Sequence, residues 1–178
     1  MDQFFLQPKI IMNHKDTETQ RLKLNELSHR VIGLCMEVHR ELGPGLLESA
    51  YEEALAYELI QAGMAFVRQR ETPLLYKGVA LNCGYRVDFI VEGELLLELK
   101  AVNELLPIHH AQVLTYLKLE RQSLGLLVNF NVPALKDGVK RVAAGDLFKD
   151  QKSIRNDFGQ LAILLCASVS LWFNRISS

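Results

Sequence analysis

Tyr85-Arg86-Val87-Asp88-Phe89-Ile90-Val91-Glu92-Gly93-Glu94-Leu95-Leu96-Leu97-Glu98-Leu99-Lys100 reads as two apolar strands joined by a short turn, with Asp88, Glu98 and Lys100 set inside them. Charges on buried strands are costly unless they are paired or coordinate a metal. Period-2 alternation puts Val87, Phe89 and Val91 on one face and Arg86, Asp88 and Ile90 on the other. On the second strand Leu95, Leu97 and Leu99 share a face, opposite Leu96, Glu98 and Lys100. Matching the apolar faces sets the register. Pairing Val91 with Leu95 satisfies both strands, brings Asp88 opposite Glu98 and leaves Glu92-Gly93-Glu94 as the loop. A tighter turn at Glu92-Gly93 would pair Asp88 with Leu97 and separate the two acids.

Adjacent carboxylates repel, and without a cation one tends to keep a proton. A divalent ion removes that conflict, and all-oxygen ligation suits Mg²⁺ or Mn²⁺ over zinc. Lys100, two residues beyond Glu98, reaches the same side, where it can orient a water or stabilise charge on a phosphoryl oxygen. The bland alternative is the polar face of an ordinary hairpin. Asp-x9-Glu-x-Lys alone favours that bland reading, because short acidic motifs recur by chance, and the surrounding sequence is what shifts the balance.

Outward from the hairpin, Leu24, Leu27, Val31, Leu34, Val38 and Leu42 recur at helical steps. Gly43-Pro44-Gly45 ends that helix. A second helix is expected from about Leu46 to Ala62, with Gly63 as its stop. Residues 65–76 and 79–82 look extended, interrupted by Thr72-Pro73 and Lys77-Gly78. Strands follow over about 85–91 and 94–100. Pro107 opens a third helix whose inward side is His110, Val113, Leu114 and Leu117. Leu124 to Phe130 is a short strand, and Val139 to Phe148 is ambiguous. Helix, helix, three strands, helix, strand implies an α/β domain with a mixed sheet flanked by helices.

Composition sets the outer bounds. The chain has 178 residues, 49% hydrophobic and 23% charged, which fits one soluble globular domain. A formal net charge of -1 and a pI near 6.5 advertise no global basic field for nucleic acid. Cys35, Cys83 and Cys166 lack any zinc-like spacing and read as small hydrophobes in a reducing compartment. No basic region precedes a long apolar stretch at the N-terminus, so the expected location is the cytoplasm. The expected organisation is a loosely ordered arm over 1–20, a domain over 21–150 and an apolar C-terminal extension over 151–178. Within that extension Leu161–Phe173 is almost wholly apolar, but a membrane span needs ~20 such residues. It is expected instead to pack against the domain, a second copy of the chain or a protein partner, with peripheral membrane contact as the weaker alternative.

The hairpin resembles the core of the PD-(D/E)XK nuclease superfamily, with a restriction-endonuclease-like fold in which one strand carries Asp and the next Glu-x-Lys. Val87-Asp88 stands here for the motif's Pro-Asp. Upstream, Val38-His39-Arg40-Glu41-Leu42-Gly43-Pro44-Gly45-Leu46-Leu47-Glu48-Ser49-Ala50-Tyr51 resembles the GxxExxY family, a branch of that superfamily, on Gly45, Glu48 and Tyr51. Asn129-Phe130 and Gly138-Val139-Lys140-Arg141 also look family-like. The resemblance spans roughly residues 24–148.

What the resemblance implies is a metal-dependent nuclease-like protein hydrolysing phosphodiester bonds in DNA. Asp88, Glu98 and Glu48 would hold Mg²⁺ or Mn²⁺, with the Leu99 carbonyl as a further ligand. Lys100 would assist the attacking water. Gln112 and Tyr116, four apart on the third helix, resemble a RecB-like pair that steadies substrate, and His109 precedes them on the same side. Glu48 has a plain alternative as a dipole-favoured helix N-terminal residue. Tyr51 reads equally as a core aromatic or a substrate contact, and His39 as a satisfied structural histidine. No cysteine set for an iron–sulfur cluster is present. The competing function is a non-catalytic nucleic-acid- or protein-binding module on a nuclease scaffold.

Overall fold

The computed structural model describes residues 14–145. Nine elements follow in order: α1 (His14–Leu42), α2 (Glu48–Gln61), β1 (Phe66–Tyr76), β2 (Val79–Val91), β3 (Leu95–Lys100), α3 (Pro107–Glu120), β4 (Leu124–Asn129), α4 (Leu135–Gly138) and β5 (Val139–Ala143). The strands form one sheet in chain order, antiparallel except for the parallel pair β3–β4. A parallel neighbour needs a crossover, and α3 supplies it. The mixed α/β class expected from the sequence is the one observed. The described part of Val139–Phe148 begins with the edge strand β5, which follows directly on α4.

Two apolar layers sandwich the sheet. On one side α1 buries Leu24, Leu27, Val31, Cys35 and Val38, and α2 buries Tyr51, Leu55 and Leu59, against Phe89, Val91, Leu95, Leu97 and Leu99. On the other, Val113, Leu114, Tyr116 and Leu117 of α3 cover Ile90, Leu96 and Leu127. Strands covered on both faces must be apolar throughout, and β3 is buried from Leu95 to Leu99, Glu98 included. Cys35 is fully buried, which pushes its thiol up to about 12. It is an inert hydrophobe.

The hairpin has the expected register: Val91 faces Leu95, Ile90 faces Leu96 and Phe89 faces Leu97. Glu92-Gly93-Glu94 is left as the loop, closed by Glu94 N–H donating to the Val91 carbonyl at 3.1 Å. Several expectations shift at their edges. Val87 joins Ile90 in the α3-side layer, not Phe89 and Val91 as strict alternation required. The break coincides with Gln69, which lies opposite Asp88, drops out of the β1–β2 ladder and has φ 52°. Residues 79–82 and 85–91 are one strand, joined to β1 across Lys77-Gly78, both at positive φ. Leu42, expected inward, is 41% exposed because the helix ends there. His110 is only half-buried, and Tyr116 takes a buried place instead.

α1 already begins at His14, inside the stretch expected as an arm. Residues 1–13 and 146–178, with Leu161–Phe173 and Cys166, lie outside the described residues. No helix among the described residues is long and apolar enough to cross a membrane.

Gly138 marks the tightest backbone approach in the domain. A Cβ there would stand 2.2 Å from the Asn129 carbonyl oxygen and 2.9 Å from Val132 Cγ2. Backbone cannot retreat as a side-chain tip can, so overpacking applies in full. Gly138→Ala is expected to lower the stability measured by denaturant unfolding by roughly 1–3 kcal/mol. Gly145→Ala, where a Cβ meets nothing within 4 Å, should be close to neutral.

Candidate functional site

β2 and β3 stop pairing at Phe89–Leu97. The next backbone donor on β3 is taken by a side chain: Leu99 N–H donates to Asp88 Oδ2 at 2.8 Å. The parting of the strands opens a polar cavity of about 500 Å³. Asp88, Glu98 and Lys100 line it from the sheet, Glu48 and Glu52 from α2, and Gln112 and Tyr116 from α3. Gln69 and the segment Gly84–Arg86 complete the rim. Asp88, Glu98, Lys100, Glu48, Gln112 and Tyr116, scattered over four elements, are thus brought to one place.

The chemistry is that of two acids held out of water. Glu98 is 2% exposed. Lys100 Nζ donates to its Oε1, while Oε2 is buried and accepts no hydrogen bond among the described residues. An unsatisfied buried acceptor costs roughly 1–3 kcal/mol. Burial, then repulsion from Asp88, pushes the Glu98 carboxyl up to about 7, with Lys100 offsetting part of the rise. Asp88 rises to about 6, chiefly through burial, against the pull of the Leu99 N–H and Lys100. Burial opposes the charge on Lys100, but Glu98's attraction and hydrogen bond outweigh it and hold the lysine above its ordinary value. Lys100 is therefore a cation and a donor, not a base.

All the acidic donors here are carboxylate oxygens. Among the described residues no three His, Cys, Asp or Glu side chains form a ready-made cage for a metal. Magnesium is commonly held by one or two carboxylates together with waters and substrate phosphates. Asp88 and Glu98 suit that mode, since a divalent ion would give Glu98 Oε2 a partner and quench the repulsion. Glu48 faces them across the cavity, close enough to raise both carboxyls.

A second layer fixes the geometry. Gly43 (φ 66°) and Gly45 (φ 99°) take conformations that L side chains rarely adopt. The turn they make is stapled by Tyr51, whose hydroxyl donates to the Gly43 carbonyl at 2.7 Å and accepts from Leu46 N–H at 3.1 Å. Tyr51 is fully buried and stacks on Phe130 with ring centroids 4.5 Å apart. The structure does not bring it to the cavity, so of its two sequence readings the core aromatic is the one realised. His39 donates from Nε2 to the Val132 carbonyl at 2.8 Å, a structural role. Nδ1 of His109 accepts from Leu106 N–H at 3.1 Å and caps α3.

Gln112 and Tyr116 meet each other: the amide donates to the phenol oxygen at 2.8 Å. Burial raises the Tyr116 pKa, so the phenol keeps its proton. Buried Asn129 holds the segment after Lys100, its Oδ1 accepting from Val102 N–H at 3.1 Å and its Nδ2 donating to the Val102 carbonyl at 2.8 Å.

Two residues escaped the sequence reading. Glu52 lies one helical turn after Glu48, an i,i+4 signal that could have found it. Gln69 had no signal: its amide bridges Glu52 Oε1 at 2.7 Å and Asp88 Oδ1 at 3.3 Å only because β1 is paired with β2. Arg68 closes the cluster on Glu52 at 2.6 Å and Glu53 at 2.5 Å.

A family model described as the PD-(D/E)XK nuclease superfamily matches residues 25–142, the span that contains every side chain of this cavity. No curated protein and no solved structure matches the chain.

Two outcomes follow from the burial. Asp88 and Glu98 keep protons in the fold that the unfolded chain has released between about pH 4 and about pH 7. The unfolded state then binds fewer protons, so stability falls as pH rises through that window. In chelator, the denaturant midpoint should drop between pH 5 and pH 7.5 by an equivalent on the order of 2 kcal/mol. An Asp88→Asn/Glu98→Gln variant should show a flatter profile, and parallel profiles would refute the assignment. Tyr51→Phe strips the turn of its hydroxyl and should cost roughly 1–3 kcal/mol in thermal or denaturant unfolding.

Proposed function

Because the chain belongs to the PD-(D/E)XK nuclease superfamily, we propose that it is a metal-dependent nuclease hydrolysing phosphodiester bonds in DNA, acting in the cytoplasm. Within the superfamily we assign it to the GxxExxY branch on Gly45, Glu48 and Tyr51. The observation that carries the enzyme reading is Glu98 Oε2, a buried carboxylate oxygen without a hydrogen-bond partner beside a second raised carboxyl. A structural acid in that position would be satisfied by donors or replaced by an apolar residue. A catalytic one is held in waiting.

Asp88, Glu98 and the Leu99 carbonyl, with Glu48 from α2, would hold Mg²⁺ or Mn²⁺. That ion supplies Lewis acidity toward the scissile phosphoryl group when bound. The remaining work falls to the chain's own residues. Leu99 N–H fixes one Asp88 oxygen and Gln69 the other, so the carboxylate is oriented before any ligand arrives. Lys100 stays charged and donates, which suits it to orient the attacking water and to stabilise negative charge developing on a phosphoryl oxygen. The proton that water loses would pass to bulk solvent through the open cavity. Gln112 and Tyr116, already joined, present an amide and a phenol edge that steady the substrate strand.

Incubating the protein with DNA and Mn²⁺ or Mg²⁺ tests this directly. Cleavage is expected, and Glu98→Ala or Lys100→Ala should each reduce it by roughly 10²–10³-fold. A wild-type rate no higher than that of the Glu98→Ala/Lys100→Ala double variant defeats the enzyme reading in favour of a binding module. Calorimetric titration with Mn²⁺ is the independent measure of the ligand set: the heat should vanish in Asp88→Ala/Glu98→Ala, and its survival there would contradict these ligands.

A further inference from the structure

Tyr85 and Arg86 are two large rim side chains to which none of these roles falls. They sit immediately before Asp88's neighbour Val87 and line the same cavity as the two acids. Tyr85 is 37% exposed, and its ring meets Tyr116 edge-on, with centroids 5.6 Å apart and planes at 69°. An edge contact leaves a ring face free to be covered.

Arg86 is exposed and, alone among the cations of the cavity, has no ion pair or hydrogen bond among the described residues. Lys100 is committed to Glu98, and Arg68 nearby is committed to Glu52 and Glu53. A guanidinium left unpaired on a rim shared with Glu48, Glu52 and Asp88 is kept for something other than those acids. Their arrangement pairs an aromatic platform with a cation one residue apart in sequence, the combination that holds unpaired nucleotides.

We propose that Tyr85 and Arg86 form a subsite for single-stranded DNA, stacking one unpaired base on Tyr85 and setting a backbone phosphate against Arg86. This rests on the reading of the cavity as a nucleic-acid site and names its substrate class. Pockets of roughly 300–1,000 Å³ enclose a ligand of drug size, and this one, at about 500 Å³, has room for a nucleotide. In a duplex every base face is already stacked on its neighbours. Only a strand end or a melted segment can offer a face to Tyr85 while its phosphate reaches the acids behind it. Each base stacked on an aromatic side chain is sequence-tolerant, because every base has a π-face. The subsite therefore selects strandedness and not sequence.

Fluorescence anisotropy with a short labelled oligothymidine carrying phosphorothioate linkages, against a duplex of the same length, reads this out in Mg²⁺ without relying on turnover. The full chain is expected to bind the single strand at least about tenfold more tightly. Tyr85→Leu should weaken single-strand binding by roughly 5- to 100-fold, and Tyr85→Phe should restore it. Arg86→Ala should weaken binding and reduce the slope of log affinity against log salt by about 0.7, the loss of one phosphate contact on a single strand. Equal affinity for duplex, unchanged binding in Tyr85→Leu, failure of the Phe variant to rescue, or an unchanged salt slope would each overturn the subsite. If cleavage depends on Glu98 and Lys100 while Tyr85→Leu binds normally, the subsite alone is wrong. If single-strand preference and its Tyr85 dependence hold but no DNA is cut, the nuclease reading is wrong and the subsite stands.

Discussion

Placing Glu98 on a strand buried from Leu95 to Leu99 is the constraint from which the rest of the site follows. A carboxyl only 2% exposed cannot be solvated, and each partner it is given restricts something else. Lys100 must follow two residues later to lie alongside it. Asp88 lies close enough to raise the Glu98 carboxyl, and Lys100 offsets part of that rise. The fold accommodates both acids by ending the β2–β3 ladder one pair short, so that Leu99 N–H bonds the Asp88 carboxylate instead of a strand carbonyl. The raised carboxyls are the remaining imbalance. It is the kind of imbalance that a cation corrects.

Around that core the scaffold spends its most specific contacts on holding two approaches still. One is the entry into α2, which delivers Glu48 and Glu52. Its glycine turn, the Tyr51 hydroxyl and the Tyr51–Phe130 stack tie it to the end of β4. The other is the segment leaving β3 after Lys100, bound by Asn129 side-chain hydrogen bonds and by Phe130 N–H donating to the Lys100 carbonyl at 2.8 Å. Phe130 and Asn129 are neighbours, so both approaches are referenced to the same turn of chain. Gly138 lets the backbone beyond that turn close on the Asn129 carbonyl. Residues that touch no ligand thereby set where the carboxylates and the ammonium stand.

Much of this was readable in the chain itself. The apolar residues on either side of Glu92-Gly93-Glu94 favour the register that buries both strands, and that register brings Asp88 opposite Glu98. Helical spacing placed Val113, Leu114 and Leu117 inward and joined Gln112 to Tyr116, because residues four apart on a helix are neighbours whatever surrounds them. Glu48 could be singled out beside the glycine turn, but its distance from Asp88 was not a property of either segment. Tyr51 shows the boundary sharply. Three residues after Glu48 on one helix, it was as good a candidate for the cavity as for the core, and only the position of Phe130, 79 residues further along the chain, put it in the core.

Local patterns determined most of the elements and their faces, Val87 excepted, together with the hairpin register, since each depends on periodicities of two or 3.6 residues and on turn stereochemistry. Tertiary structure decided what those side chains experience. Burial of Glu98, the unpaired state of Arg86, the Gln69 bridge between Glu52 and Asp88, and the edge-on meeting of Tyr85 with Tyr116 all arise between segments that the sequence leaves far apart. Desolvation and charge coupling act through space and have no sequence period. The sequence therefore names the charged groups set into the strands, and the packing of α2 and α3 against the parted strands sets how strongly each is perturbed.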